Sequence, residues 1–273
     1  MNVITIAVVI FVVSLAATFA PIRLGSRVNA SRLSDLTGIA SGLLLASALV
    51  VVIPEGFHTA AEASDGEAFA YDPVVLGAMI LAGFLAIMLL EGLGIGHAVH
   101  EEHHDHVAGH GHGHVHHPTS AKVLALGLSL HSVADGIAIG AAAAAGDEAV
   151  SAVVALGVLV HRIPAAASLG LFSLHDNDVR AGSVGGLIWF AIATPAALLV
   201  SYGILEGADG GAVALALLFS AGTFLYVATV DTLPAVHNPA TGRRSARNVV
   251  LSAGVFTLIL FVLTATDVLG SSH

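Results

Sequence analysis

The residues Leu128 to Gly140 read LSLHSVADGIAIG and set an imidazole, a hydroxyl and a carboxylate inside an otherwise apolar stretch. On a helix, His131 and Asp135 lie one turn apart on one face, with Ser132 beside them, so the three can converge on one small ligand. The next apolar stretch, VLVHRIPAAASLG, carries His161, Arg162 and Pro164 near its middle. Two neighbouring segments thus present imidazoles at the same depth, and nitrogen with oxygen donors suits a borderline cation such as Zn²⁺. Ionisable groups inside a lipid-spanning helix are expensive, and by default they mark a pathway or a site.

The elements that must position these groups follow from composition. Apolar residues make up 56% of the 273 and charged residues 10%, far below the charge of a soluble chain. The expected class is an all-α polytopic membrane protein. A span needs about 20 mostly apolar residues. That criterion gives eight, at about 2 to 20, 36 to 57, 74 to 96, 121 to 145, 149 to 173, 181 to 205, 211 to 233 and 248 to 268. The first is read as a retained span, because no basic stretch precedes it and its apolar run continues to Pro21. No cysteine is present, so disulfides and thiolate metal sites are excluded. The net charge of −10, with no basic stripe, excludes nucleic acid as a partner.

Charge also orients the chain. Arg23, Arg27, Arg32, Lys122, Arg180, Arg243, Arg244 and Arg247 fall in loops of one parity. Acids such as Glu62, Asp72, Asp147, Glu148, Glu206 and Asp209 occupy the alternate loops. The positive-inside rule then places the basic loops in the cytoplasm and both termini outside, in a prokaryotic-type plasma membrane. The whole chain, 1–273, reads as a single transmembrane domain. Its one long loop, 97–120, is cytoplasmic between spans three and four and has no apolar face, so disorder is expected. In it stand His97, His100, His103, His104, His106, His110, His112, His114, His116 and His117, a density of imidazole suited to loose metal binding. A weak repeat relates span two to span seven: Gly42 and Pro54 stand twelve apart, as do Gly222 and Pro234. Because the two spans run in opposite directions, the copies would be inverted, a signature of secondary transporters.

Each polar residue has a plainer reading. Ser132 can bond its own helix backbone, and Arg162 with Asp135 can form a structural ion pair near the midplane. Pro164 leaves the Val160 carbonyl without its helical donor, which supplies either a ligand or a simple kink. Other intramembrane polar residues form a ladder of depths. Glu55 and His58 stand at the outer end of span two, Glu91 lies low in span three, and Asp231 with His237 stands at the inner end of span seven. These are the accessory or pathway candidates, the alternative for each being a helix-end group that reaches interfacial water.

HSVADG and HRIPAA on successive spans, after a histidine-rich loop, resemble the paired metal motifs of the ZIP (Zrt/Irt-like) transporters. The wording of HSVADGIAIGAAA, HRIPAAASLGL, LFSAGTFLYVATV at 218–230 and IPEGFH in span two is similar to the branch of the Golgi-resident ninth human member. The resemblance implies a 3+2+3 inverted-repeat bundle of eight helices that admits divalent metal to the cytosol. It also implies His131, Asp135 and His161 as metal ligands, with Ser132 where many members carry Asn. The usual fifth-span pattern H-E-x-P-H-E supplies carboxylates for two metals. Here Arg162, Ala165 and Ala166 stand at those places, so a single-metal site is expected, with a fixed positive charge in place of the second ion.

The function expected is inward carriage of Zn²⁺, with Fe²⁺, Mn²⁺ or Cd²⁺ as further cargo, by alternating access and as a possible homodimer in the bilayer. Small-residue faces, Gly136/Gly140 and Gly182/Gly186, would permit close contact and movement of the four-helix block that carries the site. Histidine ligation implies weaker binding as imidazoles protonate below about pH 6.5. The rivals are a metal-binding membrane sensor without transport and an intramembrane metalloenzyme. The second lacks the H-E-x-x-H motif that would seat a metal beside a general base.

Overall fold

A computed structural model of the chain describes residues 2–24, 30–64, 68–93, 121–175, 182–237 and 242–265. The histidine-rich loop lies outside the described residues. Within them the chain is helical: α1 (Val3–Leu24), α2 (Ala30–Ala46), α3 (Ile53–Glu62), α4 (Pro73–Gly92), α5 (Ala121–Ala144), α6 (Glu148–His175), α7 (Gly182–Leu205), α8 (Gly210–His237) and α9 (Gly242–Ala265). A π-helical segment, Ser47–Val52, joins α2 to α3. The joined helix crosses as one, from Asp35 to Glu62, so eight helices are long and apolar enough to span a membrane. The expected span, 36 to 57, falls short mainly at its far end, because HTAAE continues the helix beyond Phe57 to Glu62. Pro54 is tolerated there because it stands in the first turn of α3.

Local chemistry fixes the turns on one side. Gly146 and Gly207 take φ of 91° and 86°, a left-handed conformation that glycine adopts without strain, and each follows the end of a helix, α5 and α7. Acids then open the next helices. Asp147 accepts from Ala149 N at 2.7 Å, Asp209 from Ala212 N at 3.0 Å, and Asp72 from Val74 N at 2.8 Å. Three of the acids that set the charge parity are therefore N-caps of α6, α8 and α4.

The helices are packed as matched pairs. The most extensive contacts join α5 to α7, α4 to α8, α2 to α9 and α1 to α6. An inverted repeat exchanging the first three spans with the last three, and span four with span five, maps α5/α7 onto α6/α1 and α4/α8 onto α9/α2. The pairing pattern thus has the symmetry that the sequence repeat suggested. The two repeat glycines follow it. A Cβ on Gly42 would stand 2.4 Å from Val249 O of α9, and one on Gly222 would stand 1.9 Å from Ile80 O of α4. Glycine lets the backbones meet where hydrophobic attraction between helices is weak.

Gly136 and Gly140 do not form a sliding surface. Cβ atoms there would lie 2.5 Å from Thr194 O and 1.9 Å from Ser201 Oγ, both on α7, and Gly186 returns the contact toward Ala125 of α5. These faces weld α5 to α7 within one group, α1, α5, α6 and α7. The surroundings of Gly182 lie outside the described residues. The second group, α2, α3, α4, α8 and α9, meets the first chiefly through α2 with α6 and α5 with α8. That seam holds alanine and medium aliphatics, among them Leu44, Ala48, Val52, Ala138, Ala142 and Val158, with the ring of Phe224.

Burial separates centre from rim. The spanning window of α5 is 72% buried, against 17% for both α4 and α9. The least apolar of the spanning windows is thus the one most shielded by protein, while Leu81, Leu89, Val250, Leu258 and Phe261 face outward at the lipid boundary.

Candidate metal centre

One turn of α5 brings His131 over Asp135, and α6 lies against them with His161. The Nε2 atoms of His131 and His161 are 3.2 Å apart, and they lie 3.6 and 3.4 Å from Asp135 Oδ2. A point equidistant from the corners of such a triangle is ~2.0 Å from each, the length of a Zn–N or Zn–O bond. Its edges are those of one face of a tetrahedral coordination sphere, which leaves a fourth position for water or an incoming ligand. Among the described residues this is the group of three histidines and acids whose donor atoms can reach one ion.

One of the three donor groups, His161, is held from behind. His161 Nδ1 faces the carbonyl of Gly157 at 3.4 Å, which favours the proton on Nδ1 and turns the Nε2 lone pair to the triangle. The two rings stand edge to face, 73° apart. Asp135 is wholly buried, yet neither carboxylate oxygen has hydrogen-bond geometry to a protein donor among the described residues. A buried carboxylate in that state is unfavourable unless a cation compensates it. Access is one-sided: the His131 side chain is 16% exposed, the Asp135 side chain 1%.

Beside the triangle lies a second polar cluster, and it is closed. Arg162 is 2% exposed. Its Nε donates to Ser14 Oγ at 2.5 Å, its Nη1 to Ser132 Oγ at 2.7 Å and to Thr194 Oγ1 at 2.5 Å, and its Nη2 to the carbonyl of Phe190. The guanidinium also lies over the Phe190 ring, 4.2 Å from the centroid. One side chain therefore ties α6 to α1, α5 and α7. Its closest approach to Asp135 is Nη1 to Oδ2 at 3.9 Å, within Coulomb range and beyond a hydrogen bond.

The structure distributes the sequence candidates unevenly. His131, Asp135 and His161 converge. Ser132 does not join them: its Oγ donates to Leu128 O at 2.6 Å and accepts from Arg162, so its lone pairs face the guanidinium. Arg162 is ion-paired with Asp135 only at the outer limit of distance. Pro164 is buried in an α6 that continues through it. Glu55 is half-buried and His58 exposed, with His58 Nε2 3.7 Å from Glu62. Glu91 accepts a hydrogen bond from Tyr226 at 2.9 Å. Glu55, His58 and Glu91 stand apart from the triangle. Asp231 and His237 lie on the last turns of α8, with side chains outside the described residues.

Sequence reasoning did not single out Ser14, Thr194 or Tyr226. Ser14 and Thr194 interrupt the apolar runs FVVSLAATFA and FAIATPAA, but serine and threonine in such runs usually bond their own helix. The available signal was Arg162 itself, because a buried guanidinium has five donors to satisfy.

The family model described as ZIP Zinc transporter matches residues 2–122 and 95–262 of this sequence. The protein belongs to the ZIP family. Zinc transporter ZIP9 of Micropogonias undulatus is 34% identical over 254 residues, 79% of this chain and 79% of that protein. Zinc transporter ZIP9 of Xenopus tropicalis is 31% identical over 260 residues, covering 81% and 83%. Human zinc transporter ZIP2 is 30% identical over 177 residues, covering 57% and 56%. The short motifs on α5, α6 and α8 and the whole-chain comparison thus agree. This ZIP protein is an integral membrane transporter rather than an enzyme.

Proposed function

We propose that this ZIP protein carries Zn²⁺ across the membrane through one metal position bounded by His131, Asp135 and His161. The observation that supports the reading best is the triangle of donor atoms with sides of 3.2, 3.4 and 3.6 Å, sized for a first-row dication. Its nitrogen and oxygen donors also accept Fe²⁺, Mn²⁺ or Cd²⁺, with selection set by geometry and availability. Two neutral imidazoles and one carboxylate hold the cargo without enclosing it, which suits a site that must both load and release.

In this reading the group α1, α5, α6 and α7 moves as one body against α2, α3, α4, α8 and α9, and the alanine-rich seam between them is where sliding occurs. Arg162 fills the space beside Asp135 with a fixed charge, so one ion is carried at a time. Glu55 and His58 serve the outer approach, and Glu91, Asp231 and His237 serve the inner exit. Both termini face outward from a plasma membrane of prokaryotic type, delivery is to the cytoplasm, and residues 97–120 collect metal loosely there. Homodimerisation within the lipid belongs to the same reading.

Radioactive zinc uptake into proteoliposomes tests it. Wild-type protein is expected to give saturable uptake, and His131→Ala with His161→Ala to give none above empty liposomes. Undiminished uptake by the double variant overturns the site. Zinc binding without any flux favours a sensor over a carrier.

A further inference from the structure

Within the proposed single-metal site, the geometry around Arg162 points to a further role: a cage of neutral oxygens holds this guanidinium off Asp135, so that it balances the carboxylate without occupying it. We infer that Thr194 and Ser14, whose side-chain hydrogen bonds among the described residues go to Arg162 and Ser132, are positioning residues that set zinc affinity through Arg162.

The argument rests on where the donors go. Bidentate pairing of guanidinium with carboxylate is the ordinary arrangement when both are buried. Here every identified hydrogen bond of Arg162 goes to a neutral acceptor, namely Ser14 Oγ, Ser132 Oγ, Thr194 Oγ1 and the Phe190 carbonyl. Nη1, the nitrogen nearest the metal triangle, divides its donors between Ser132 and Thr194 and stops 3.9 Å from Asp135 Oδ2. Thr194 is itself fixed, since its hydroxyl donates to Ser132 O at 2.8 Å, and the Phe190 ring blocks one face of the fork. The positive charge is near enough to stabilise the buried carboxylate. The lone pairs of Asp135 remain open to a cation.

Two consequences follow. Without cargo, the site keeps an ionised carboxylate in the membrane interior with a permanent counter-charge beside it. With cargo, the same charge opposes the dication, which limits affinity and favours release. Removing one acceptor from Nη1 frees a donor whose nearest charged oxygen is Asp135, and a guanidinium bonded there competes with the metal.

Zinc titration of the purified full-length protein by calorimetry provides the test, with uptake in proteoliposomes beside it. Thr194→Val is expected to weaken Zn²⁺ binding by ~10-fold, with a matching rise in KM. Thr194→Ser, which keeps the hydroxyl, restores it. Ser14→Ala weakens binding in the same direction through Nε, and it carries the test if Thr194→Val does not fold. With Co²⁺ as probe, the visible absorption band keeps its shape in the weakened variants, because the ligands are unchanged; a merely distorted site would alter it. Unchanged affinity in both Thr194→Val and Ser14→Ala overturns the inference, as does a loss that Thr194→Ser fails to restore. If the wild-type protein binds no zinc that His161→Ala removes, the underlying site reading fails and this inference falls with it.

Discussion

Two polar clusters lie side by side in the middle of this bundle, and they are built on opposite principles. Around Arg162, donors meet acceptors from three other helices, and the charge is enclosed. Around Asp135, two imidazole nitrogens and a carboxylate oxygen converge within 3.6 Å of one another, and neither carboxylate oxygen has a hydrogen bond among the described residues. Both clusters stand where burying charge is expensive. In the first the protein compensates itself, which makes a joint. In the second Arg162 supplies a counter-charge at 3.9 Å but no hydrogen bond, and the carboxylate oxygens stay open to a cation from outside, which makes a site. Ser132 divides the two, since its hydroxyl belongs to the arginine although its neighbour His131 belongs to the triangle of donor atoms.

The contrast can be broken at either cluster. The largest effect is expected from His131→Ala with His161→Ala, which leaves one carboxylate for a dication and weakens zinc binding by on the order of 100-fold or more, measured by calorimetry. The variant should still fold, because the contacts of those imidazoles join α5 to α6 alone, whereas Arg162 joins α6 to three helices. Arg162→Met attacks the other cluster and should do the reverse of that, lowering stability by ~3–5 kcal/mol in a thermal melt, because it strands Asp135 without a counter-charge. A melt unchanged by Arg162→Met would show that the closed cluster joins nothing.

Gly140→Leu sharpens the comparison by attacking the weld between α5 and α7 more than a turn beyond Asp135. Its Cβ would stand 1.9 Å from Ser201 Oγ, so a loss of ~1–3 kcal/mol is expected in the same melt. pH separates the clusters by charge type. Zinc affinity measured by calorimetry is expected to fall as pH drops, since protons compete with the metal for the imidazole nitrogens, whereas the closed cluster offers no such competition. Asp72→Ala, remote from both, removes the cap of α4 and should lower stability by about 1 kcal/mol, with zinc affinity unaltered.

Helical spacing alone made much of this legible. His131 and Asp135, four apart, must share a face, and an apolar run of twenty residues must cross the membrane, because both follow from the 3.6-residue turn and the thickness of lipid. The eight spans, the paired motifs and the place of His161 were accordingly visible. Ser132 was not placed correctly by spacing, for a hydroxyl one residue from a ligand can turn to its own backbone, to a neighbour or to the ion. Gly136 and Gly140 were legible as a close-packing face but not as to which helix they would meet, because small residues specify distance and not identity.

The chain by itself therefore determined which segments leave water, which ionisable groups accompany them, and which of those share a helical face, since these depend on local periodicity and transfer from water. Only the assembled bundle decided which lone pairs stay open and which are closed, since that depends on what four helices place within 4 Å of one another. Ser14 and Thr194, distant in sequence from Arg162, took up its donors, and Asp135, beside it, kept both carboxylate oxygens without a hydrogen bond among the described residues.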